Sequence, residues 1–207
     1  MNRHFYLICK QLLDRIFAFL LLAILSPLLA LITLGVAIDL GYPVFFSQWR
    51  GGYRGQRFQI LKFRTMREAK SADGTLLSDE ARLTPFGNFL RKSSLDELPE
   101  LINILRGEMS FIGPRPFIAQ YLDRYTPEQD RRHEAFPGIT GLAQVKGRNA
   151  ISWEEKFKFD IWYVDNWSLW LDLKILVMTV LKVVQQDGIN QEGYTTSEEF
   201  KGTLRES

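Results

Sequence analysis

The sequence predicts a mostly helical α+β fold, with a membrane helix at the N-terminus followed by a compact domain. Three features carry this. Residues 16–38 contain no charged side chain, a run long enough to span a bilayer. Helical periodicity and caps recur through most of the remainder, with two short alternating runs, 44–49 and 56–64, that read as strands. Hydrophobic residues make up 46% of the 207, enough for a real core. The chain divides into a membrane element (1–40), a compact domain (41–190) and a polar tail (191–207).

Composition narrows the function. A net charge of +2 argues against a nucleic-acid binder, although basic residues cluster locally. Cys9 is the only cysteine, so no disulfide can form within the chain. His4 and His133 stand apart, with no zinc-ligand spacing around them.

At the start, Arg3, Lys10 and Arg15 alternate with Phe5, Tyr6, Leu7, Leu12 and Leu13, the pattern of an interfacial helix. The apolar run follows, with Ser26-Pro27 near its middle. Pro27 removes one helix hydrogen bond, and the Ser26 hydroxyl is placed to serve a freed carbonyl. A kinked span and a helix that breaks and returns both fit. Arg3, Lys10 and Arg15 precede the run, and Arg50, Arg54 and Arg57 follow it. Basic residues at both ends suit a hairpin that keeps both ends cytoplasmic.

Gly51, Gly52 and Gly55 between the strand-like runs predict a hairpin. Lys62 and Arg64 fall on one face of its second strand, either as a solvated edge or as an anion site. Residues 70–80 read as a polar loop, a candidate lid. Thr84-Pro85 opens a helix whose buried face is Phe86, Phe89 and Leu90.

The chemistry concentrates between Arg91 and Pro116. Asp96 and Glu97 are adjacent carboxylates set among basic groups. Glu97 also stands three residues after Ser94, the capping-box spacing, so a purely structural role is the alternative. Gly113-Pro114-Arg115-Pro116 presents Arg115 from a stiff backbone, and a guanidinium fork suits phosphate. Carboxylates beside phosphate-binding cations point to phosphoryl transfer.

Further on, residues 118–123 read as helical, with Tyr121 and Tyr125 packing; His133 reads as a surface or capping residue. Ser152-Trp153-Glu154-Glu155 has the capping-box signature of a helix start. Leu173, Leu176, Val177, Val180, Leu181 and Val184 recur at helical spacing and read as a packing face, since Lys174 and Lys182 interrupt the run.

Several motifs in order resemble one family. They are Lys62-Phe63-Arg64-Thr65-Met66, Ser94-Leu95-Asp96-Glu97-Leu98-Pro99, Met109 through Pro116, Pro137-Gly138-Ile139-Thr140-Gly141 and Gln144-Val145-Lys146-Gly147-Arg148-Asn149. Together they resemble the bacterial sugar transferases, the small monotopic phosphoglycosyl transferases, over nearly the whole chain. The length resembles the minimal members, which lack an extra N-terminal membrane domain. Within the family the likeness is strongest to members that move phospho-N,N′-diacetylbacillosamine onto undecaprenyl phosphate. Those members often carry Lys-Arg before the membrane helix, where this chain has Lys10-Gln11.

The resemblance implies a monotopic protein on the cytoplasmic face of the bacterial inner membrane, with a re-entrant helix broken at Ser26-Pro27. It implies transfer of a sugar-1-phosphate, expected to be that of an N-acetylated 6-deoxy amino sugar, from a UDP-sugar to undecaprenyl phosphate. Asp96 is then the nucleophile, and Glu97 positions Mg²⁺ or the acceptor, with either carboxylate as the metal contact. Lys62, Arg64, Arg91 and Arg115 meet phosphate oxygens, and Gln144 and Arg148 lie by the nucleotide. The expected partners are the two substrates and membrane lipid; a homodimer stays open. Direct ternary displacement with Asp96 as metal ligand, a metal-dependent phosphatase and a non-enzymatic anionic-lipid binding module are the competing readings.

Overall fold

The computed structural model describes residues 3–147, 151–185 and 199–202. Helices are α1 (Arg3–Leu40), α2 (Asp79–Arg82), α3 (Pro85–Lys92), α4 (Glu100–Arg106), α5 (Pro127–Asp130), α6 (Leu142–Lys146), α7 (Trp153–Asn166) and α8 (Leu169–Gln185). Strands are β1 (Phe45–Gly51), β2 (Arg57–Phe63), β3 (Ser110–Ile112) and β4 (Gly138–Thr140). The fold is therefore the expected mostly helical α+β.

The 38-residue helix α1 organises the rest. Its stretch Tyr6–Leu40 is long and apolar enough to cross a membrane. The expected break at Ser26-Pro27 does not end the helix, which continues through Pro27. The local chemistry explains why. Proline at 27 deprives the Ala23 carbonyl of its backbone donor, and Ser26 Oγ donates to that same oxygen at 2.8 Å.

One face of α1 packs along the domain throughout its length. Ala18 joins Phe58, Ile60, Leu101, Ile104 and Met109; further along, Ile32 and Val36 join Val44, Phe63 and Leu90. Near the start, Lys10 Nζ lies 2.6 Å from Asp172 of α8, and Gln11 donates to the Met109 carbonyl. Lys10 and Gln11 thus point into the protein, not toward lipid headgroups. The opposite face is apolar and exposed, from Ile8 and Phe17 through Ile24 and Leu31 to Ile38. Polar groups inward and apolar groups outward is the pattern of a surface meant for lipid.

β1 and β2 form the expected antiparallel hairpin, with Phe46, Gln48 and Arg50 opposite Lys62, Ile60 and Phe58. The outer edge of β2 is covered by a side chain. Fully buried Asn103 of α4 accepts from Leu61 N and donates to Gln59 O, doing for β2 what a third strand would. β3 and β4 pair in parallel, Ser110 with Gly138 and Ile112 with Thr140.

Helix starts follow the predicted chemistry. Thr84 Oγ1 accepts from Gly87 N with Pro85 in the first turn of α3. Ser152 and Glu155 make both bonds of a capping box at α7. Two packing expectations fail. Phe89 is exposed, and the inner face of α3 is Gly87 and Leu90 with Phe86 packed beside them. On α8, Leu173, Leu176, Val177, Val180 and Leu181 face outward, and the inner face carries Asp172 and Ile175; the Val184 side chain lies outside those described. Buried Asp172 decides the orientation: it meets Lys10 and accepts from Tyr163 at 2.7 Å.

Candidate active site

The acidic pair sits where α3 ends and α4 begins. Ser94 takes the left-handed conformation (φ 57°, ψ 19°), which stops α3 and redirects the chain into the 3-10 turn Leu95–Glu97. Leu95 and Leu98 anchor that turn against the Leu90 and Phe63 cluster. Ser94 makes no side-chain cap, so the capping-box alternative fails and Glu97 is spent elsewhere.

Glu97 Oε1 is held by two cations from distant segments. Lys62 Nζ of β2 lies at 2.5 Å and Arg115 Nη2 at 2.9 Å. Lys62 also lies 3.0 Å from Glu100 Oε1. Lys62 is thus buried among carboxylates and is not a solvated edge. Burial raises the Glu97 pKa, but Lys62 and Arg115 outweigh it and hold the group well below the usual carboxylate range. Glu100 is pushed up to about 7, chiefly by burial and in spite of Lys62.

Asp96 contrasts with its neighbour. Its carboxylate has no hydrogen bond or ion pair with a described residue. Burial, then the negative charge of Glu97, pushes its pKa up to about 6, while Lys62, Arg91 and Arg115 pull the other way. The arrangement gives an available carboxylate beside one already neutralised, within the field of three cations.

Arg115 stands on a backbone gripped at four successive carbonyls. Pro114 O accepts from Gly138 N at 3.0 Å, Arg115 O from Arg132 Nη2 at 2.6 Å, Pro116 O from Arg50 Nη1 at 3.2 Å and Phe117 O from Gly51 N at 3.0 Å. Arg132 is itself fixed: buried, bidentate on Asp160 Oδ2 at 3.0 and 2.7 Å, and 4.0 Å above the Phe117 ring. The close approach also demands glycine. A Cβ at Gly113 would lie 2.1 Å from Phe136 O.

The other predicted residues divide. Arg91 reaches the same area, with its Nε on Thr65 Oγ1 at 3.0 Å and its charge felt by Asp96. Arg64 instead donates to the Leu40 and Gly41 carbonyls and secures the end of α1. Gln144 Nε2 donates to Ile139 O at 3.1 Å, leaving its buried Oε1 without a partner. Arg148 lies outside the described residues. His133 is buried, with Nδ1 2.8 Å from Asp130 Oδ1.

A model of the family described as bacterial sugar transferase matches residues 5–186. The chain belongs to that family. It is 51% identical to the uncharacterized sugar transferase EpsL of Bacillus subtilis (strain 168), covering 95% of this chain and 98% of that protein. It is 40% identical to the UDP-glucose:undecaprenyl-phosphate glucose-1-phosphate transferase of Xanthomonas campestris pv. campestris, over 88% of this chain and 40% of that protein. It is 40% identical to the UDP-galactose-lipid carrier transferase of Erwinia amylovora, over 86% of this chain and 41% of that protein. This sugar transferase thus spans about two fifths of each of the last two.

Three residues of this sugar transferase's site escaped sequence reasoning. Arg50 lies on the Lys62 face of the hairpin, and burial and the Arg115 charge bring its pKa down to about 10. The strand alternation could have paired it with Lys62. Glu100 follows Glu97 by three residues, a readable helical spacing. Arg132 carried no local signal, because its partner Asp160 is 28 residues away.

Proposed function

We propose that this sugar transferase moves a sugar-1-phosphate from a UDP-sugar to undecaprenyl phosphate, in two steps through Asp96. The observation that carries the reading is the contrast between the adjacent carboxylates: Glu97 bound by Lys62 and Arg115, and Asp96 without a partner among the described residues, its pKa pushed up to about 6. An Asp96 oxygen attacks the sugar-bearing phosphorus, and the bond to the bridging oxygen breaks, releasing UMP. An oxygen of undecaprenyl phosphate then attacks the same phosphorus, and the acyl-phosphate bond breaks to return Asp96 as carboxylate. Arg115 and Arg91 hold phosphate oxygens as charge shifts between them.

The residues fit Mg²⁺ only as a shared site. Among the described residues no three carboxylates, histidines or cysteines are placed to hold one metal ion together. Mg²⁺ commonly takes one or two carboxylates and completes its shell with substrate phosphates and water. Asp96, unpaired and crowded by Glu97, and the second oxygen of Glu97 are the groups that would hold it. When bound it would neutralise oxygens of the diphosphate.

The course of α1 supports the proposed membrane placement. Both of its ends pack on the same domain, Lys10 against Asp172 and Val36 beside Leu90. A continuous helix whose two ends both pack on one domain stays on that domain's side of the bilayer, and this supports a monotopic arrangement on the cytoplasmic face of the inner membrane, with the apolar face of α1 in lipid. Asp96 then works at headgroup depth, where the soluble donor and the lipid acceptor meet. Cysteines placed one at a time at both ends of α1, in a Cys9→Ser background, should react with an impermeant reagent only from the cytoplasmic side.

For the donor we propose an N-acetylated 6-deoxy amino sugar. The names of the Xanthomonas and Erwinia relatives favour a second reading, a hexose such as glucose or galactose. UMP release across a panel of UDP-sugars with undecaprenyl phosphate decides between them, and absence of release with every donor would refute the transfer reaction itself.

A further inference from the structure

A groove of about 420 Å³ lies between α6, α7 and α8, lined by none of the residues around Asp96. Phe159, Trp162, Leu171 and Met178 give it an apolar floor. Lys146 of α6, Lys158 of α7 and Lys174 of α8 stand at its rim, one from each helix, all exposed. Among the described residues, none of the three has a carboxylate partner, and the transfer chemistry uses none of them.

Cations around an apolar floor suit an amphiphile. A free nucleotide or sugar phosphate would leave the floor uncovered, and a plain hydrocarbon would leave the lysines unused. The groove also opens beside exposed apolar side chains of α7 and α8. Val177 and Leu181, 53% and 55% exposed, flank Lys174 on α8, and Trp162 at the groove is 49% exposed. The first turns of α1 meet α8 at Asp172, which lies 2.6 Å from Lys10 Nζ and accepts from the Tyr6 hydroxyl at 3.3 Å.

We infer that this groove binds one anionic phospholipid of the bilayer, with its phosphate among Lys146, Lys158 and Lys174 and an acyl chain along Phe159, Leu171 and Met178. The inference rests on the membrane placement proposed above and not on the route of phosphate transfer. The bound lipid would fix the depth and tilt of α7 and α8, and through Asp172 the position of α1.

The test uses the full chain in nanodiscs of phosphatidylcholine with a minor fraction of phosphatidylglycerol, released gently and weighed by native mass spectrometry. Wild type should retain phosphatidylglycerol in preference to phosphatidylcholine. The triple variant Lys146→Gln, Lys158→Gln, Lys174→Gln should lose that preference by on the order of tenfold or more, since each lysine near an anionic lipid surface contributes roughly fivefold. A control with Arg57→Gln, Lys70→Gln and Arg106→Gln removes the same charge elsewhere and should keep the preference. Equal loss in both triples, or no loss in the first, overturns the inference. So does a change in oligomer mass with lipid unchanged, which would give the groove to a second copy. One-for-one displacement of phosphatidylglycerol by undecaprenyl phosphate would overturn it too, by giving the groove to the acceptor. UMP release from the same samples is read separately: its absence in wild type would count against the transfer reaction and leave the lipid result standing.

Discussion

Asp96 and Glu97 are chain neighbours, yet Glu97 shares one oxygen between Lys62 and Arg115 while Asp96 keeps both of its own free of described partners. Burial and the Glu97 charge place the Asp96 pKa at about 6. A nucleophilic carboxylate must be deprotonated, so kcat/KM for the donor should rise with pH up to about 6 and level above it. Removing the Glu97 charge with Glu97→Gln lowers the Asp96 pKa, so the acid limb should move to lower pH. Arg115→Gln removes a cation that favours the ionised form, and the limb should move to higher pH. Profiles of the two variants shifting in the same direction would contradict this electrostatic account.

Lys62 neutralises two carboxylates at once. Lys62→Met leaves Glu97 to Arg115 alone and strands buried Glu100. Breaking a buried pair by removing one partner costs about 3 kcal/mol or more. The thermal midpoint should fall by roughly 6–12 °C for a domain of this size. Adding Glu100→Gln should restore part of the loss, and calorimetry in detergent reads both.

Arg132 touches no proposed substrate group, but holds the Arg115 carbonyl and Asp160 together. Arg132→Lys keeps a charge for Asp160 and loses the second bond. It should lower kcat by on the order of tenfold through misplacement of Arg115. In an Arg115→Ala background the same change should add nothing, the signature of a residue acting through another. Additive losses would make Arg132 merely structural.

Ser26 and Pro27 form a unit. Ser26→Ala should cost about 1–2 kcal/mol, because the Ala23 oxygen loses its donor. With Pro27→Ala the backbone N–H returns, and Ser26→Ala should then cost little. Thermal midpoints of the four proteins in nanodiscs close this cycle.

Much of the frame was readable because its signals are local. The Thr84-Pro85 and Ser152-Glu155 starts each need only a few adjacent residues, and the hairpin follows from its glycines. The acidic pair and Arg115 stood out because carboxylates among cations and an arginine between prolines are unusual. Long-range partners were not readable. The periodicity of α8 marks a stripe but not which side faces inward; that depends on Asp172 meeting Lys10 across 162 residues. Arg64 shares a strand face with Lys62, yet its length carries it to the end of α1 instead of the acidic pair. The spacing of Ser94 and Glu97 satisfied a capping box, but the left-handed turn at Ser94 sent Glu97 to the cations.

The most direct test mixes purified enzyme with a UDP-sugar labelled in the sugar, without lipid acceptor, and quenches it within milliseconds to seconds. The account predicts label on the protein together with stoichiometric UMP, both absent in Asp96→Asn and both chased into lipid by undecaprenyl phosphate. UMP formed only when the acceptor is present, with no labelled protein at any time, would contradict it.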